Sequence, residues 1–318
     1  MTLPDIKEKW TGKIYEVTIG ATKEQGGTRE KVVTIGGQTT LPFLTFEGEN
    51  PNKPVLAGYV ADVVPDWPDV LVEAIGKEIN SPAEWAAKCV EEFGVDCISL
   101  RLLGAGSASK NRSPEQCAKI VLDVLSAVKV PLIIWGCGDE EIDNLVLPDC
   151  SHASRGENCL IGSAKETNYK TIVAICKADK HKLISEAPVD INIGKQVNIL
   201  VQDAGFDLND IVMIQTTAAL GYGFDYVYTI IERARIAGLK GDKLMAAPQI
   251  CDVGGETWRV KEALSDEDSL PGWGPVDKRG AMWEAVCASG YIQAGADILV
   301  LAHPQAIKTT REYIAYMA

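Results

Sequence analysis

Few side chains in this chain of 318 residues are placed to do acid, base or ligand chemistry, and those few are dispersed. The three histidines, His152, His181 and His303, fall on separate segments and lack the i, i+4 spacing that sets two imidazoles on one helical face for zinc. Nine cysteines are scattered singly with no C-x-x-C, and most, including Cys89, Cys97, Cys117, Cys176 and Cys287, sit in apolar patterns that read as buried free thiols. Neighbouring cysteines assemble neither an iron–sulfur cluster nor a closed zinc site, so the sequence predicts no metal ligands of its own and assigns any cluster to a partner. Asp139, Glu186 and Asp252 follow predicted strands, where a carboxylate either moves protons or caps the next helix. His303 precedes Pro304, which suits a helix start as well as a ligand contact.

Glycine dominates where chemistry would be expected. Gly104, Gly136, Gly221 and Gly272 each open a G-x-G, but none extends to the G-x-G-x-x-G of a dinucleotide loop. The physical reading is close approach: glycine loops admit a large planar ligand or a partner's backbone. The candidate ligand contacts are the residues that follow predicted strands, namely Leu102, Gly104, Gly136, Cys137, Gln215, Thr216, Thr217, Gly221, Gln249 and His303. No catalytic set is expected among them. Trp258, Trp273 and Trp283 surround a long loop at 254–275, and Trp273, flanked by glycines, is a candidate partner contact.

The elements that must position these residues alternate. Short apolar runs at 55–60, 97–102, 132–135, 160–163, 183–185, 211–215, 244–248 and 298–302 read as buried strands, each followed by apolar residues at helical spacing. Ser81-Pro82-Ala83-Glu84 and Ser113-Pro114-Glu115-Gln116 are helix starts, with Ser capping and Pro pre-setting the first turn. Gly94, Gly205, Gly238 and Gly295 read as helix stops just ahead of strands. Eight such units predict an α/β fold, a (β/α)8 TIM barrel at 51–318, in preference to an open doubly wound sheet. Residues 1–50 read as an N-terminal β-hairpin extension: 13–19 and 31–35 are β-rich around Gln25-Gly26-Gly27-Thr28, and a third extended piece is expected at 41–46.

The charge narrows the class. With 31 basic and 44 acidic side chains the net charge is −13, which opposes nucleic acid and anionic lipid. No apolar run approaches the roughly 20 residues of a membrane span, and the charged first ten residues lack an export signal, so a cytoplasmic location is expected.

Four stretches together resemble one family: Thr216-Thr217-Ala218-Ala219-Leu220-Gly221-Tyr222-Gly223; Gly272-Trp273-Gly274 with Arg279 and Trp283-Glu284; His303-Pro304; and Gly136-Cys137-Gly138-Asp139. It is the small, or delta, subunit of the corrinoid iron–sulfur protein of the acetyl-CoA pathway, and the resemblance runs over the whole chain, hairpin included. It implies a non-catalytic TIM barrel paired with a large subunit that carries a [4Fe-4S] cluster and a corrinoid-binding domain, with the corrinoid lying against this barrel's mouth. It further implies that the cobalt takes a methyl group from methyltetrahydrofolate through a methyltransferase and delivers it to acetyl-CoA synthase. The sequence also lacks D-x-H-x-x-G, with which some cobalamin proteins ligate cobalt. The alternative is a pterin-dependent methyltransferase of the same barrel type. Such barrels hold the pterin with Asp and Asn side chains, whereas this chain has Ser99, Gly162, Ser163 and Gln215.

Overall fold

The computed structural model describes residues 7–317; of the predicted extension, residues 1–6 lie outside the described residues. The expected hairpin is present as β1 (Glu16–Ile19) and β2 (Val33–Gly36), antiparallel, with Glu16 opposite Gly36 and Ile19 opposite Val33. Alternation sets its faces. Val17, Ile19, Val33 and Ile35 are buried in the main core, while Thr18 and Thr34 turn the other way and join hydroxyls at 2.9 Å. Asn158 Nδ2 donates to the carbonyls of Thr18 and Gly20 at 2.9 and 3.0 Å, which fastens the pair beneath the barrel. The third extended piece expected at 41–46 is instead a run of turns: Leu41 is buried against Ile14 and Leu239, and Thr40 Oγ1 donates to Leu44 O at 3.1 Å, so local bonds replace a strand partner.

The eight parallel strands are β3 (Val55–Ala61), β4 (Cys97–Arg101), β5 (Leu132–Trp135), β6 (Leu160–Ala164), β7 (Lys182–Glu186), β8 (Ile211–Ile214), β9 (Ile250–Cys251) and β10 (Ile298–Leu301). Their order is β8-β7-β6-β5-β4-β3-β10-β9. The last seam closes where Met213 faces Gln249 and its N–H donates to Pro248 O at 2.8 Å. Around them run α1 (Asp69–Ile75), α2 (Pro82–Glu91), α3 (Pro114–Ala127), α4 (Glu140–Ala153), α5 (Tyr169–Asp179), α6 (Ile191–Asp203), α7 (Phe224–Leu239), α10 (Val276–Ala294) and α11 (Pro304–Met317), while α8 (Val253–Thr257) and α9 (Lys261–Leu264) sit in the long loop after β9. This is the expected TIM-type barrel with its hairpin. No helix among the described residues is long and apolar enough to cross a membrane.

Local chemistry explains the boundaries. Ser81 Oγ accepts from Glu84 N at the start of α2, and Ser113 and Gln116 cap α3 reciprocally. Gly94, Gly205 and Gly295 take the left-handed conformation (φ 68°, 80° and 116°) as expected. Gly238 does not. It lies within α7, where a Cβ would come 2.8 Å from Met245 O, and the left-handed stop is Gly241 at φ 94°. The seventh barrel strand is also displaced: residues 243–245 form a 3₁₀ turn capped by Asp242, and the strand is the two residues Ile250–Cys251. Ala246 O accepts from Tyr15 N at 2.7 Å, so residues 245–247 are buried under the N-terminal segment, and of the run at 244–248 Pro248 O alone reaches the ladder.

One buried cluster ties the extension to the barrel base. Asp297, just before β10, accepts from Gln38 Nε2 (2.8 Å), Arg235 Nη2 (2.6 Å) and Gln249 N (2.8 Å), with the Arg235 and Asp297 side chains 1% and 3% exposed. Replacing Asp297 with Ala strands a guanidinium, and a loss of about 3–5 kcal/mol is expected. A urea melt in which Asp297→Ala costs less than about 1 kcal/mol would show that this cluster is not a fastening.

Candidate functional site at the barrel mouth

Tyr59, Ser99 and Trp135 lie on adjacent strands, and all three are buried. Trp135 Nε1 donates to Ser99 Oγ at 2.9 Å. Arg101, the last residue of β4, lays its guanidinium 4.5 Å from the centre of the Trp135 ring and 5.6 Å from that of Tyr59. Its Nη2 then reaches Asp252 Oδ2 at 2.6 Å. Asp252 follows β9, which lies beyond β3 and β10 from β4, so the ion pair spans the mouth. Asp252 is itself positioned: its N–H donates to Thr217 Oγ1 at 2.9 Å, and its Oδ1 accepts from Gly255 N at 3.3 Å. Burial pushes the Tyr59 hydroxyl up to about 12, so this ring stays neutral. The mouth is thus closed by two aromatic rings clasping a paired cation.

The rim loops were expected to be glycine-lined so that a ligand could approach; two of those glycines serve a different purpose. A Cβ on Gly104 would meet Asp62 Oδ2 at 2.4 Å, because the Asp62 carboxylate sits there, accepting Gly104 N at 2.8 Å and pairing with Arg112 Nε at 2.9 Å. A Cβ on Gly136 would lie 2.1 Å from the Asp143 carboxyl carbon, whose oxygens accept from Cys137 N (2.7 Å) and Gly138 N (3.1 Å). Both glycines make room for a carboxylate of this chain.

The remaining candidates divide. Leu102 is fully buried. Gln215 turns outward onto α6, where a Cβ on Gly194 would come within 2.6 Å of its Nε2. Gln249, displaced with its strand, is at the opposite end of the barrel, where its Nε2 donates to Ile231 O at 3.0 Å. These three are not rim contacts, the first for burial and the others because their side chains are spent on packing behind or below the strands. Cys137, Thr216 and Gly221 do open on the mouth side, and burial pushes the Cys137 thiol up to about 11. Thr216 has φ 62°, a rare conformation for a β-branched residue, held as its Oγ1 donates to Ala187 O at 3.1 Å.

His303 stacks on Trp258 with ring centres 5.7 Å apart. Its Nδ1 accepts from Gln305 N at 3.0 Å, which places the proton of the neutral ring on Nε2. Burial lowers its pKa to about 4. Beneath it, the buried Glu284 accepts from Trp258 Nε1 (2.7 Å), Ala302 N (2.6 Å) and His303 N (3.2 Å), and burial pushes its pKa up to about 7 against those donors. Arg279 pins the long loop by donating to Glu262 O (2.9 Å), Gly274 O (3.0 Å) and Ser265 O. Trp273, about half exposed, stacks on Trp283 at 5.3 Å, and Trp283 Nε1 donates to Leu220 O at 3.0 Å.

Residues 16–310 match the family described as CO dehydrogenase/acetyl-CoA synthase delta subunit. The chain belongs to that family. It is 38% identical over 316 residues to the acetyl-CoA decarbonylase/synthase complex subunit delta of Archaeoglobus fulgidus, covering 96% of this chain and 69% of that one. With the protein of the same description from Methanocaldococcus jannaschii it shares 37% over 307 residues, covering 96% and 74%. Among solved structures it is similar to a dihydropteroate synthase of Xanthomonas albilineans with 4-aminobenzoic acid (TM-score 0.55, 13% identity, 87% of this chain and 96% of that). It is similar also to the dihydropteroate synthase of Thermus thermophilus (TM-score 0.54, 12% identity, 88% and 98%). At such identities the likeness establishes the barrel alone. In this delta-subunit chain, three of the residues that carried the resemblance build the wall behind the β9 loop: Arg279 clamps, Trp283 braces, and Glu284 holds the backbone before α11.

Sequence reading missed Arg101, Asp62, Asp143 and Glu284 as organisers of the mouth. Arg101 carried one available signal, a cation closing an otherwise apolar strand; Asp62 and Glu284 act on loops remote in sequence, and Asp143 reaches back from α4 to the loop just before it. A pH measurement tests the His303 geometry. Its pKa falls from 6.5 unfolded to about 4 folded, so the stability it contributes is complete above pH 6.5 and is lost as pH falls through 4. Acidifying from pH 7 to 4 is expected to cost the native chain up to about 3 kcal/mol more than His303→Phe, which keeps the stacking; Glu284 is common to both and cancels. Parallel pH–stability curves for the two proteins would refute the buried, neutral imidazole.

Proposed function

We propose that this chain is the non-catalytic small subunit of a corrinoid iron–sulfur methyl carrier, covering the corrinoid with its barrel mouth. Family membership supports a place as a subunit of an acetyl-CoA decarbonylase/synthase complex, since the relatives are so described. The finer reading rests on one observation: the mouth is closed and chemically quiet. Arg101, Tyr59, Trp135 and Asp252 fill it, the guanidinium lying against both rings with its Nη2 on the Asp252 carboxylate.

The rim suits a corrinoid without ligating its metal. His303 has no free lone pair, because Nδ1 accepts from Gln305 and Nε2 carries the proton; Cys137 stays a thiol at neutral pH. When bound, cobalt supplies the methyl-accepting and methyl-donating centre. The chain's own residues then shelter it: Cys137, Thr216 and Gly221 open on that face, and Val189, Tyr222, Tyr226, Leu264 and Trp273, on the loops and first helical turns beyond β7, β8 and β9, expose apolar surface around it. On this reading the corrinoid is shared with a large subunit that alone holds the [4Fe-4S] cluster. The methyltetrahydrofolate methyltransferase and acetyl-CoA synthase are its other partners, and the setting is cytoplasmic.

The likeness to dihydropteroate synthases favours asking whether the barrel takes a pterin itself, as in the alternative of a pterin-dependent methyltransferase. A pterin ring in a barrel centre needs space and paired hydrogen-bonding side chains, and here the Arg101 stack takes the space. Two measurements decide. The tagged chain is expected to co-purify with a second chain carrying cobalt and iron, and alone to show no saturable binding of methyltetrahydrofolate; isolation without either metal, or saturable pterin binding by the chain alone, would overturn the proposal.

A further inference from the structure

Outside the Arg101 plug, a cavity of about 340 Å³ opens at the rim between the loops after β6, β7 and β8. Its polar wall is Lys165, Glu140, Glu186 and Thr167, with Glu166 at the edge; Ile193 and Val197 supply an apolar side, and the left-handed Thr216 completes it. The charge arrangement is unusual. Lys165 Nζ stands 3.7 Å from Oε1 of Glu140 and 3.7 Å from Oε1 of Glu186. Each glutamate commits only its other oxygen: Thr167 Oγ1 donates to Glu140 Oε2, and Ser163 Oγ donates to Glu186 Oε2. Both ion-pair separations exceed hydrogen-bond reach, so the ammonium keeps its donors and each Oε1 keeps acceptor capacity.

A donor between two acceptors is the complement of a neutral primary amide, whose carbonyl oxygen accepts and whose NH₂ donates. A carboxylate ligand meets the glutamates at close range and is disfavoured relative to the amide, and a ligand with donors alone leaves the Lys165 ammonium without an acceptor. The apolar side has room for the methylene stem of a short arm.

We propose that this cavity is the subsite for primary-amide side arms of the corrinoid, with Lys165 donating to the amide oxygen and Glu140 or Glu186 accepting from its nitrogen. The inference rests on the corrinoid reading above and adds to it the group that is recognised and the residues that recognise it. These are specificity-determining contacts with no part in methyl transfer itself.

The test uses the purified chain and dicyanocobinamide, a corrinoid with its amide arms but no lower base, followed by quenching of tryptophan fluorescence. Lys165→Met is expected to weaken binding about tenfold, or about 1.4 kcal/mol. Lys119→Met, on the exposed face of α3, should leave it unchanged. A cobinamide with amides hydrolysed to carboxylates should bind the native chain at least tenfold more weakly, and Glu140→Gln with Glu186→Gln should erase most of that difference. Equal affinities for native and Lys165→Met chains of equal thermal stability would overturn the subsite and leave the corrinoid reading standing. Failure of the native chain to bind dicyanocobinamide would overturn the subsite, and the corrinoid reading falls with it if the tagged chain also co-purifies without cobalt.

Discussion

A guanidinium sealed in the mouth of a parallel barrel is the constraint on which the rest of this structure depends. Burying an unpaired cation costs several kcal/mol, so Arg101 needs an opposite charge and polarisable faces around it. Trp135 and Tyr59 offer ring faces, and Asp252 offers a carboxylate from across the barrel. Contacts of the first kind contribute up to about 2 kcal/mol when desolvated. The ion pair does more by geometry than by energy: it couples the end of β4 to the start of α8 and so sets the position of the loop that follows β9. These groups occupy the place where this fold ordinarily offers a site to small ligands.

The same economy recurs around the rim, where acids act as seats for backbone. Asp62 receives Gly104 N, Asp143 receives Cys137 N and Gly138 N, and Glu284 receives Ala302 N and His303 N. Each is buried, and burial pushes each pKa upward while the donors pull it down. A loop held in this way needs no long apolar anchor, which fits glycine-rich segments that would otherwise be floppy. Rigidity at the rim is what a surface needs if it is to cover a reactive group without offering one.

Much of the architecture is legible in the residues. Strand and helix periods, serine–proline helix starts and the glycines at 94, 205 and 295 act over a few residues, so a linear reading recovers them. The seventh strand escapes such a reading because an apolar run is equally at home in a ladder or beneath an N-terminal segment, and only the bond from Tyr15 N to Ala246 O distinguishes the two. Gln249 goes with it, from the rim to the base. Gly238, which reads as a stop, is a gap for Met245 O. Gly104 and Gly136, which read as ligand approaches, are gaps for Asp62 and Asp143.

The sequence by itself determined the barrel, its hairpin and the scarcity of ligand-forming side chains, because periodicity, capping and composition are local or additive properties, and its short motifs carried the resemblance to the family. Tertiary structure alone decided which way each strand-end side chain faces and which charges meet. Arg101 and Asp252 are 151 residues apart, and Lys165 finds Glu140 at the start of α4 and Glu186 at the end of β7. Such pairings come from barrel closure, which brings eight strand ends into one ring and leaves no trace of the encounter in the spacing of the residues.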